Sequence, residues 1–350
     1  MVQSSNLKVK PSPCRDVGMP RLPNRMANKV QSSNLKVQSL KYKAEAARLG
    51  FSACGIARAQ RVDDDYACAF RQWLSDGKHA GMAYMENYLD KRLNPCELLP
   101  GAKSMLVVAL NYYPQRRLSE SQLQFAYYAY GKDYHDVMRM KLTQLAEALG
   151  LDNDAYLIAC DTKPVLERYW AWKAGLGWIG KNNNLIIPHE GSFFFLGEII
   201  TAAEADTYAL PMESRCGSCT RCIDACPTGA LDEDTWMDAR RCLSYLTIEN
   251  RGEIPQHYWK AMGNYIYGCD RCQLACPHNR FAQATGVEEL MPSQEFLDMA
   301  TAQWSSLSPD DFRRIFRGSA VKRAKYDGLM RNIRCSQGDT DGGKSSDQME

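Results

Sequence analysis

Eight of the 14 cysteines in this chain of 350 residues lie between Cys216 and Cys276. Four of them, Cys216, Cys219, Cys222 and Cys226, have the spacing C-x-x-C-x-x-C-x-x-x-C, and a proline follows at once. Bacterial ferredoxins bind iron–sulfur clusters with this spacing, because three close thiolates reach different irons of one cluster while the fourth reaches a second cluster. Zinc is the alternative, but structural zinc sites usually take two separated pairs of ligands. The run therefore predicts iron–sulfur binding.

A second, incomplete run indicates a second cluster. Cys269, Cys272 and Cys276 repeat the last three positions of the motif, but Ile266 stands where its first cysteine would be. Cys242 is the only spare cysteine in the region, so we assign it as the replacement. With ligands exchanged between runs, as in two-cluster ferredoxins, one [4Fe-4S] cluster takes Cys216, Cys219, Cys222 and Cys276, and the other takes Cys226, Cys242, Cys269 and Cys272.

Length and composition exclude several classes of protein. A chain of this length is expected to form about two domains, and a net charge of +2 excludes a uniformly basic coat. The longest aliphatic stretch, Met105–Leu110, falls far short of the ~20 residues of a membrane span. No apolar signal segment is apparent, so we expect a reducing, cytoplasmic location and no membrane contact.

Hydrophobic patterns divide the chain into five segments. Residues 1–38 form a basic extension, expected to be disordered, which contains one octapeptide twice. Residues 39–205 alternate between helical and strand periodicity, which predicts an α+β or mixed α/β domain. Residues 206–290 hold the cysteine runs and predict a ferredoxin-like domain. Residues 291–335 predict a short helical segment, and residues 336–350 a disordered tail.

Two elements of the first domain bear on the later description. Phe125–Tyr130 has the composition of a strand. Pro164 is placed to begin a helix, since its missing N–H costs nothing in the first helical turn.

Several longer motifs resemble the epoxyqueuosine reductases, cobalamin-dependent iron–sulfur enzymes that complete queuosine at the wobble position of certain tRNAs. The resemblance extends from Leu40 to Asn332 and includes the order of the cysteines. Its motifs are Gly131–His135, Asp161–Pro164, Ala174–Asn182, Gly191–Glu198, Arg240–Glu249 and Gly263–Cys269.

The resemblance implies a cobalamin-binding catalytic domain that receives electrons from the ferredoxin-like domain. It also implies that Asp161, after a predicted strand, protonates the departing epoxide oxygen. A pocket covered by corrin and nucleoside would raise the pKa of this carboxyl. The alternative is that Asp161 only caps the helix expected near Pro164.

Further cofactor contacts are assigned on the same basis. Asp133, Tyr134 and His135 are expected to hydrogen-bond the corrin rim or the substrate, or else to cap the following helix. His135 is not assigned as a cobalt ligand, because Met138 replaces the glycine of the D-x-H-x-x-G motif. The remaining expected cofactor contacts are Gly180, Lys181, Asn182 and Gly197.

The segment Arg313–Arg334 holds eight basic residues and one acid, so the positive charge of the chain is concentrated there. Such a patch suits the phosphates of tRNA, although a solvated helical face would have the same composition. The expected contacts are Arg313, Arg314, Lys322, Arg323, Lys325 and Arg331.

The leading hypothesis is reduction of epoxyqueuosine in tRNA by a monomer supplied by an external electron donor. A cobalamin-dependent reductive dehalogenase shares the same metal chemistry and is the enzymatic alternative. A ferredoxin-type electron carrier without activity of its own is the other. The basic segment favours tRNA over the small halogenated substrates of a dehalogenase, and bound corrin would exclude the electron carrier.

Overall fold

The computed structural model of the protein describes residues 36–233 and 236–338. The strands are β1 (Lys36–Val37), β2 (Ala53–Arg58), β3 (Ser104–Asn111), β4 (Gln124–Phe125), β5 (Tyr156–Ala159), β6 (Trp178–Ile179), β7 (Leu185–Ile186), β8 (Phe194–Thr201), β9 (Glu204–Ala205) and β10 (Tyr265–Tyr267). The helices are α1 (Ser39–Arg48), α2 (Asp64–Ser75), α3 (Leu89–Leu93), α4 (Tyr134–Leu149), α5 (Glu167–Lys173), α6 (Arg221–Asp224), α7 (Leu243–Ile248), α8 (Trp259–Met262), α9 (Arg271–Leu274), α10 (Gln294–Asp298), α11 (Thr301–Ser305), α12 (Pro309–Ile315) and α13 (Lys325–Gln337). Among the described helices, none has the length and apolar character needed to cross a bilayer.

A four-stranded antiparallel sheet, in the order β2-β3-β8-β5, organises the first domain. Side chains alternate across its faces, so Leu106 and Val108 of β3 enter one core while Met105 and Val107 enter another. Helices α1 and α4 cover the first face, and α2 and α5 cover the second. This architecture of helices on both faces of a sheet confirms the predicted fold class.

Gly197 of β8 lies beneath helix α4. A Cβ atom there would be 2.5 Å from Met138 Cε and 2.9 Å from Leu142 Cδ1. Glycine therefore lets the helix pack closely on the sheet without displacing the ends of these two side chains. This position faces the packed interior, which corrects the expected cofactor contact at Gly197.

Two predicted elements differ from the structure, the first because of a contact with a residue distant in the sequence. The strand expected over Phe125–Tyr130 ends at Phe125, and a 3-10 helix follows over Tyr127–Ala129. There the Tyr127 N–H donates to the distant Asp270 carboxylate at 2.7 Å.

The helix expected to begin at Pro164 begins instead at Glu167. The preceding residues form a tight loop, in which the Thr162 N–H donates to the Cys160 carbonyl at 2.6 Å.

The ends of the described chain are ordered further than expected. Lys36 of β1 pairs in parallel with Glu204 of β9, and the Ser39 N–H donates to Asp206 Oδ1 at 3.0 Å. Helix α13 continues to Gln337. The expectations for residues 1–35 and 339–350, including the first octapeptide, lie outside the described residues.

The C-terminal helices complete the core of the first domain. Phe125 of β4 packs against Trp304 and Phe316, with ring centroids 5.1 and 5.8 Å away. The buried Asn332 side chain donates to the carbonyls of Thr247 and Ile266 at 2.7 and 2.8 Å. The cysteine region is thus held between the sheet domain and α13.

Candidate cluster sites and active site

The first predicted group of thiols surrounds one cavity. Cys216, Cys219, Cys222 and Cys276 line a space of about 110 Å³ together with Lys181. Cys216 and Cys219 lie in the loop before α6, and Cys222 lies within α6. Cys276 follows α9, which packs against α6. The structure therefore brings together four thiols from both runs, in the combination expected for the first cluster.

The second group lies deeper. Burial raises the pKa of Cys242, and the nearby Cys226 adds to the effect. Burial also raises the pKa of Cys269 to about 12, with a further contribution from Cys242. The pKa of Cys272 is raised by burial and then by its charged neighbours, which are Cys269, Cys242, Asp270 and Cys226. Cys242, isolated in sequence, therefore lies among the other three thiols of its predicted group.

Hydrogen bonds favour the thiolate form of Cys226. Burial raises its pKa, but hydrogen bonds from Thr228 and from backbone N–H groups outweigh burial and lower it overall. One of these donors is the Ala230 N–H, 3.2 Å from the sulfur. The thiolate is the form that binds a metal.

The thiols are not gathered as ligands of a single ion. Within residues 36–233 and 236–338, no three or more His, Cys, Asp or Glu side chains converge closely enough for one metal. A four-iron cluster is larger than one ion, so its thiolate ligands stand further apart.

A separate polar site surrounds Asp161, which follows β5. The Tyr134 hydroxyl donates to Asp161 Oδ2, and His135 Nε2 lies 3.7 Å from the same oxygen. The Asp161 side chain is 59% exposed, so its carboxyl is open to a ligand. Asp161 does not cap helix α5, whose N-cap residue is Leu166; the capping alternative is wrong.

Asp133 both caps helix α4 and orients His135. Its Oδ1 accepts the His135 backbone N–H at 3.1 Å and lies 2.6 Å from His135 Nδ1. The Tyr134 ring stacks on Phe195 of β8, with centroids 4.2 Å apart. A role as helix cap is therefore compatible with a role in binding cofactor or substrate, because the Asp133 cap also holds the His135 ring in place.

Charge within the site is distributed unevenly. Asp133 and, less strongly, Asp161 raise the pKa of His135 to about 9, so the imidazole is protonated at neutral pH. Burial raises the pKa of Asp161, but His135 and Tyr134 outweigh it and lower the pKa overall. Among these residues alone, the available proton is on His135, which sequence reasoning did not foresee.

Sequence reasoning also missed two carboxyls behind Asp161. The carboxyl of Glu167 accepts the Asp161 backbone N–H, and burial followed by the Asp161 charge raises its pKa to about 8. Glu198 is fully buried in β8, and neither Oε atom has a hydrogen-bond partner within the described residues. Glu198 is a single acidic residue in the largely apolar sequence of β8, and this pattern could have indicated a buried carboxyl.

The expected contacts around Gly180 lie on the cluster side of the molecule. Lys181 pairs with Glu233 at 3.2 Å and lines the first thiol cavity. The buried Asn182 amide donates to the Cys272 carbonyl at 3.4 Å. A Cβ at Gly180 would be 2.5 Å from Ile186 Cδ1. These residues join the sheet domain to the cysteine segments.

The basic segment is exposed, but several of its charges are already paired. Arg313 contacts Asp310, while Arg314 contacts Glu295 and Asp311. Arg323 forms two hydrogen bonds of 2.8 Å with Glu249. Lys322 and Lys325 are exposed. The surface positions expected to contact tRNA are thus Arg313, Arg314, Lys322, Arg323 and Lys325.

Arg331 is buried, which corrects its assignment as a phosphate contact. Its guanidinium donates to the carbonyls of Leu246, Asn250 and Gly252, and to the Asn332 side chain. The residue therefore fastens α13 to the loop after α7.

Replacing Arg331 by Ala should destabilise the fold by about 2–4 kcal/mol, because several buried carbonyls lose their donor. Thermal melting of the anaerobic protein measures this loss. The control is Arg334→Ala, which removes an exposed charge one turn away. An equal, small shift for both variants would show that the buried contacts contribute little.

Comparison with known proteins agrees with this geometry. Residues 215–279 match the 4Fe-4S double cluster binding domain, so the fold and thiol groups define a two-cluster iron–sulfur protein. Residues 92–162 match the family described as epoxyqueuosine reductase QueG, DUF1730. An epoxyqueuosine reductase from Cellulophaga algicola is 42% identical over 296 residues, covering 83% of this chain and 95% of the relative. One from Leadbetterella byssophila is 44% identical over 300 residues, covering 84% and 97%. The chain belongs to the epoxyqueuosine reductase family.

Solved structures give the same result. Epoxyqueuosine reductase from Streptococcus thermophilus superposes with a TM-score of 0.77 at 28% identity, covering 86% of this chain and 80% of the other. A crystal structure of epoxyqueuosine reductase with an epoxyqueuosine-modified tRNA-Tyr stem loop superposes with a TM-score of 0.76 at 31% identity, with the same coverage. A Bacillus subtilis structure, at 30% identity and a TM-score of 0.77, covers 86% and 81% and has its catalytic aspartate loop swung out of the active site.

Proposed function

We propose that this protein reduces epoxyqueuosine in tRNA to queuosine. An epoxide, two electrons and two protons give an alkene and water, so the site must supply both electrons and protons. The main observation in support is that this chain, which has the fold of the family, contains two groups of four thiols. It also contains a separate, open site formed by Asp161, His135 and Tyr134. An external reductant supplies the electrons, and we infer a cytoplasmic location.

The donor sets suit the family's cofactors. Cys216, Cys219, Cys222 and Cys276 would hold one [4Fe-4S] cluster, and Cys226, Cys242, Cys269 and Cys272 the other. Cobalamin, when bound, would supply a redox-active cobalt for the reduction. Asp133, Tyr134 and His135 are partly exposed beside Asp161, so they can contact the corrin edge or the nucleoside.

Asp161 is the proton donor to the epoxide oxygen in this proposal, and His135 holds the proton beforehand. Covering the site with cofactor and nucleoside lowers the local dielectric and disfavours the charged pair formed by His135 and Asp161. A proton moving from His135 Nε2 to Asp161 Oδ2 makes both groups neutral. The proton is then on Asp161, the residue to which the family resemblance assigns the role of general acid.

Reduction of a modified stem loop tests the proposed function directly. The anaerobic protein, loaded with both clusters and cobalamin and chemically reduced, should convert an epoxyqueuosine stem loop into a product lacking one oxygen, as measured by mass spectrometry. No product from fully loaded protein would overturn the proposal. If the protein instead removed the halogen from a halogenated phenol, the dehalogenase alternative would be supported. If it bound no corrin, the electron-carrier alternative would be supported.

The exposed cations of the C-terminal segment are proposed to bind the tRNA backbone. The triple variant Lys322→Ala, Arg323→Ala, Lys325→Ala should weaken stem-loop binding and flatten its salt dependence, by roughly one unit of log-log slope per lost phosphate contact. Binding titrations over a range of salt concentrations measure both, while iron and cobalamin content should stay unchanged.

A charge-matched control removes three exposed lysines of β1 and α1, Lys36, Lys41 and Lys43. An unchanged dissociation constant and slope in the C-terminal variant, or an equal loss in the control, would place the tRNA surface elsewhere.

A further inference from the structure

The loop between β5 and α5 has few internal hydrogen bonds that could hold it in place. Its internal backbone bonds are short turns, from the Thr162 N–H to the Cys160 carbonyl at 2.6 Å and from the Val165 N–H to the Lys163 carbonyl at 2.8 Å. Asp161, Thr162 and Lys163 are all exposed. Contacts from outside the loop must therefore fix the direction of the Asp161 side chain.

Asp161 also has an unfavourable backbone conformation. Its φ of 56° is in the left-handed region, which residues other than glycine seldom adopt, although aspartate does so more readily than most. Such a conformation persists only where the surroundings enforce it. The Asp161 N–H donates to the carboxyl of Glu167, the first residue of α5. That helix is anchored by the buried rings of Tyr169 and Trp170.

We propose that Glu167 is a positioning residue, whose carboxyl holds the loop so that Asp161 points at Tyr134 and His135. This inference rests on the proposed role of Asp161 as proton donor. The contact joins an exposed, conformationally unfavourable loop to a rigid helix, and it bonds the backbone of the very residue whose carboxyl must be aimed. The Asp161 side chain itself contacts the Tyr134 hydroxyl and His135. These contacts would be left if the Glu167 contact with the Asp161 backbone were removed.

The protonation state of Glu167 suits this role. Burial and then the Asp161 charge raise its pKa to about 8, while the hydrogen bond from the Asp161 N–H, Arg168 and His135 oppose the rise. The buried Glu198, whose own pKa is raised by burial and then by Glu167 and Asp161, is another acid of this group. A neutral Glu167 accepts the N–H without placing a second negative charge beside Asp161. A glutamine has the same shape and acceptor, so it should replace the neutral acid.

The test compares Glu167→Gln with Glu167→Ala in the cofactor-loaded protein. Hydrogen–deuterium exchange of the peptide spanning residues 160–166 reports on the loop without any need for turnover. We expect exchange to rise about tenfold or more in the Ala variant and to stay within about threefold of the parent in the Gln variant. Should the Ala variant fail to fold, Glu167→Met keeps the length of the side chain but removes the acceptor.

Kinetics with the modified stem loop give the second readout. The kcat of the Ala variant should fall about 10–100-fold while KM changes little, because a misplaced donor affects chemistry more than binding. The Gln variant should retain most of the parent's kcat. Asp65→Ala, which removes an exposed acid from the first turn of α2, is the control and should behave as the parent.

The outcomes separate this inference from the proposed function. Parent-like exchange and kcat in the Ala or Met variant would overturn the positioning role. So would a Gln variant as impaired as the Ala variant, because the acceptor would then not be the cause. If the parent itself does not reduce epoxyqueuosine, the proposed function fails, and the exchange measurement still decides whether Glu167 holds the loop.

Discussion

Asp161→Asn should lose most of its turnover, by about 10²–10⁴-fold, in a single-turnover reaction with pre-reduced protein and modified stem loop. Asparagine keeps the shape of the side chain and can still accept a hydrogen bond from Tyr134, but it has no acidic proton to transfer. Both clusters, cobalamin and tRNA binding should be retained. Because the protein is reduced beforehand, a slow supply of electrons cannot explain the loss.

The matched control is Asp136→Asn, an exposed acid in the first turn of α4 that pairs only weakly with Arg139, at 3.4 Å. It should react at the parent's rate. Turnover of Asp161→Asn within a few-fold of the parent would assign the proton transfer to another group of the site, with Asp133 or Tyr134 examined next.

Cys242→Ala should reduce the iron content from about eight to about four atoms per chain, because one [4Fe-4S] cluster would have only three thiolates left. The remaining cluster should keep its absorption and its spectrum in the reduced state. Iron analysis of anaerobically purified protein measures the loss, and turnover should fall with the broken electron path.

Cys96→Ala is the corresponding control, since Cys96 lies outside both groups, near the carbonyls of Ala59 and Ala102. It should keep all its iron. If Cys242→Ala keeps both clusters while an outlying cysteine proves indispensable, the ligand assignment is wrong.

Features determined by short spacing or periodicity could be predicted from the sequence. The cysteine groups are an example, because Cys216, Cys219 and Cys222 of one cluster, and Cys269 and Cys272 of the other, have the short spacing of ferredoxin ligands. The exchange of ligands between runs and the count of cysteines then indicate the rest. The alternating periods of the first domain likewise indicated the sheet and the helices α1, α2 and α4. Asp133, Tyr134 and His135 are adjacent in the sequence, so they could be predicted to lie together at the start of a helix.

Features that depend on distant partners could not be predicted. Arg331 has the composition of a surface cation, and only the carbonyls of residues 246–252, some 80 positions earlier, show that it is buried. Gly197 was assigned to a ligand, whereas helix α4 occupies the space above it. Glu167 was overlooked because its partner is a backbone N–H in a loop that was expected to be partly helical.

The shared core has a consequence for biosynthesis. Phe125, Trp304 and Phe316 pack together, although the cysteine region lies between them in the chain. On the ribosome, the sheet domain emerges first and waits with an incomplete apolar face until α10–α13 are made. The cysteine region emerges within that interval. The core of the sheet domain therefore closes only after all eight clustered cysteines have been synthesised.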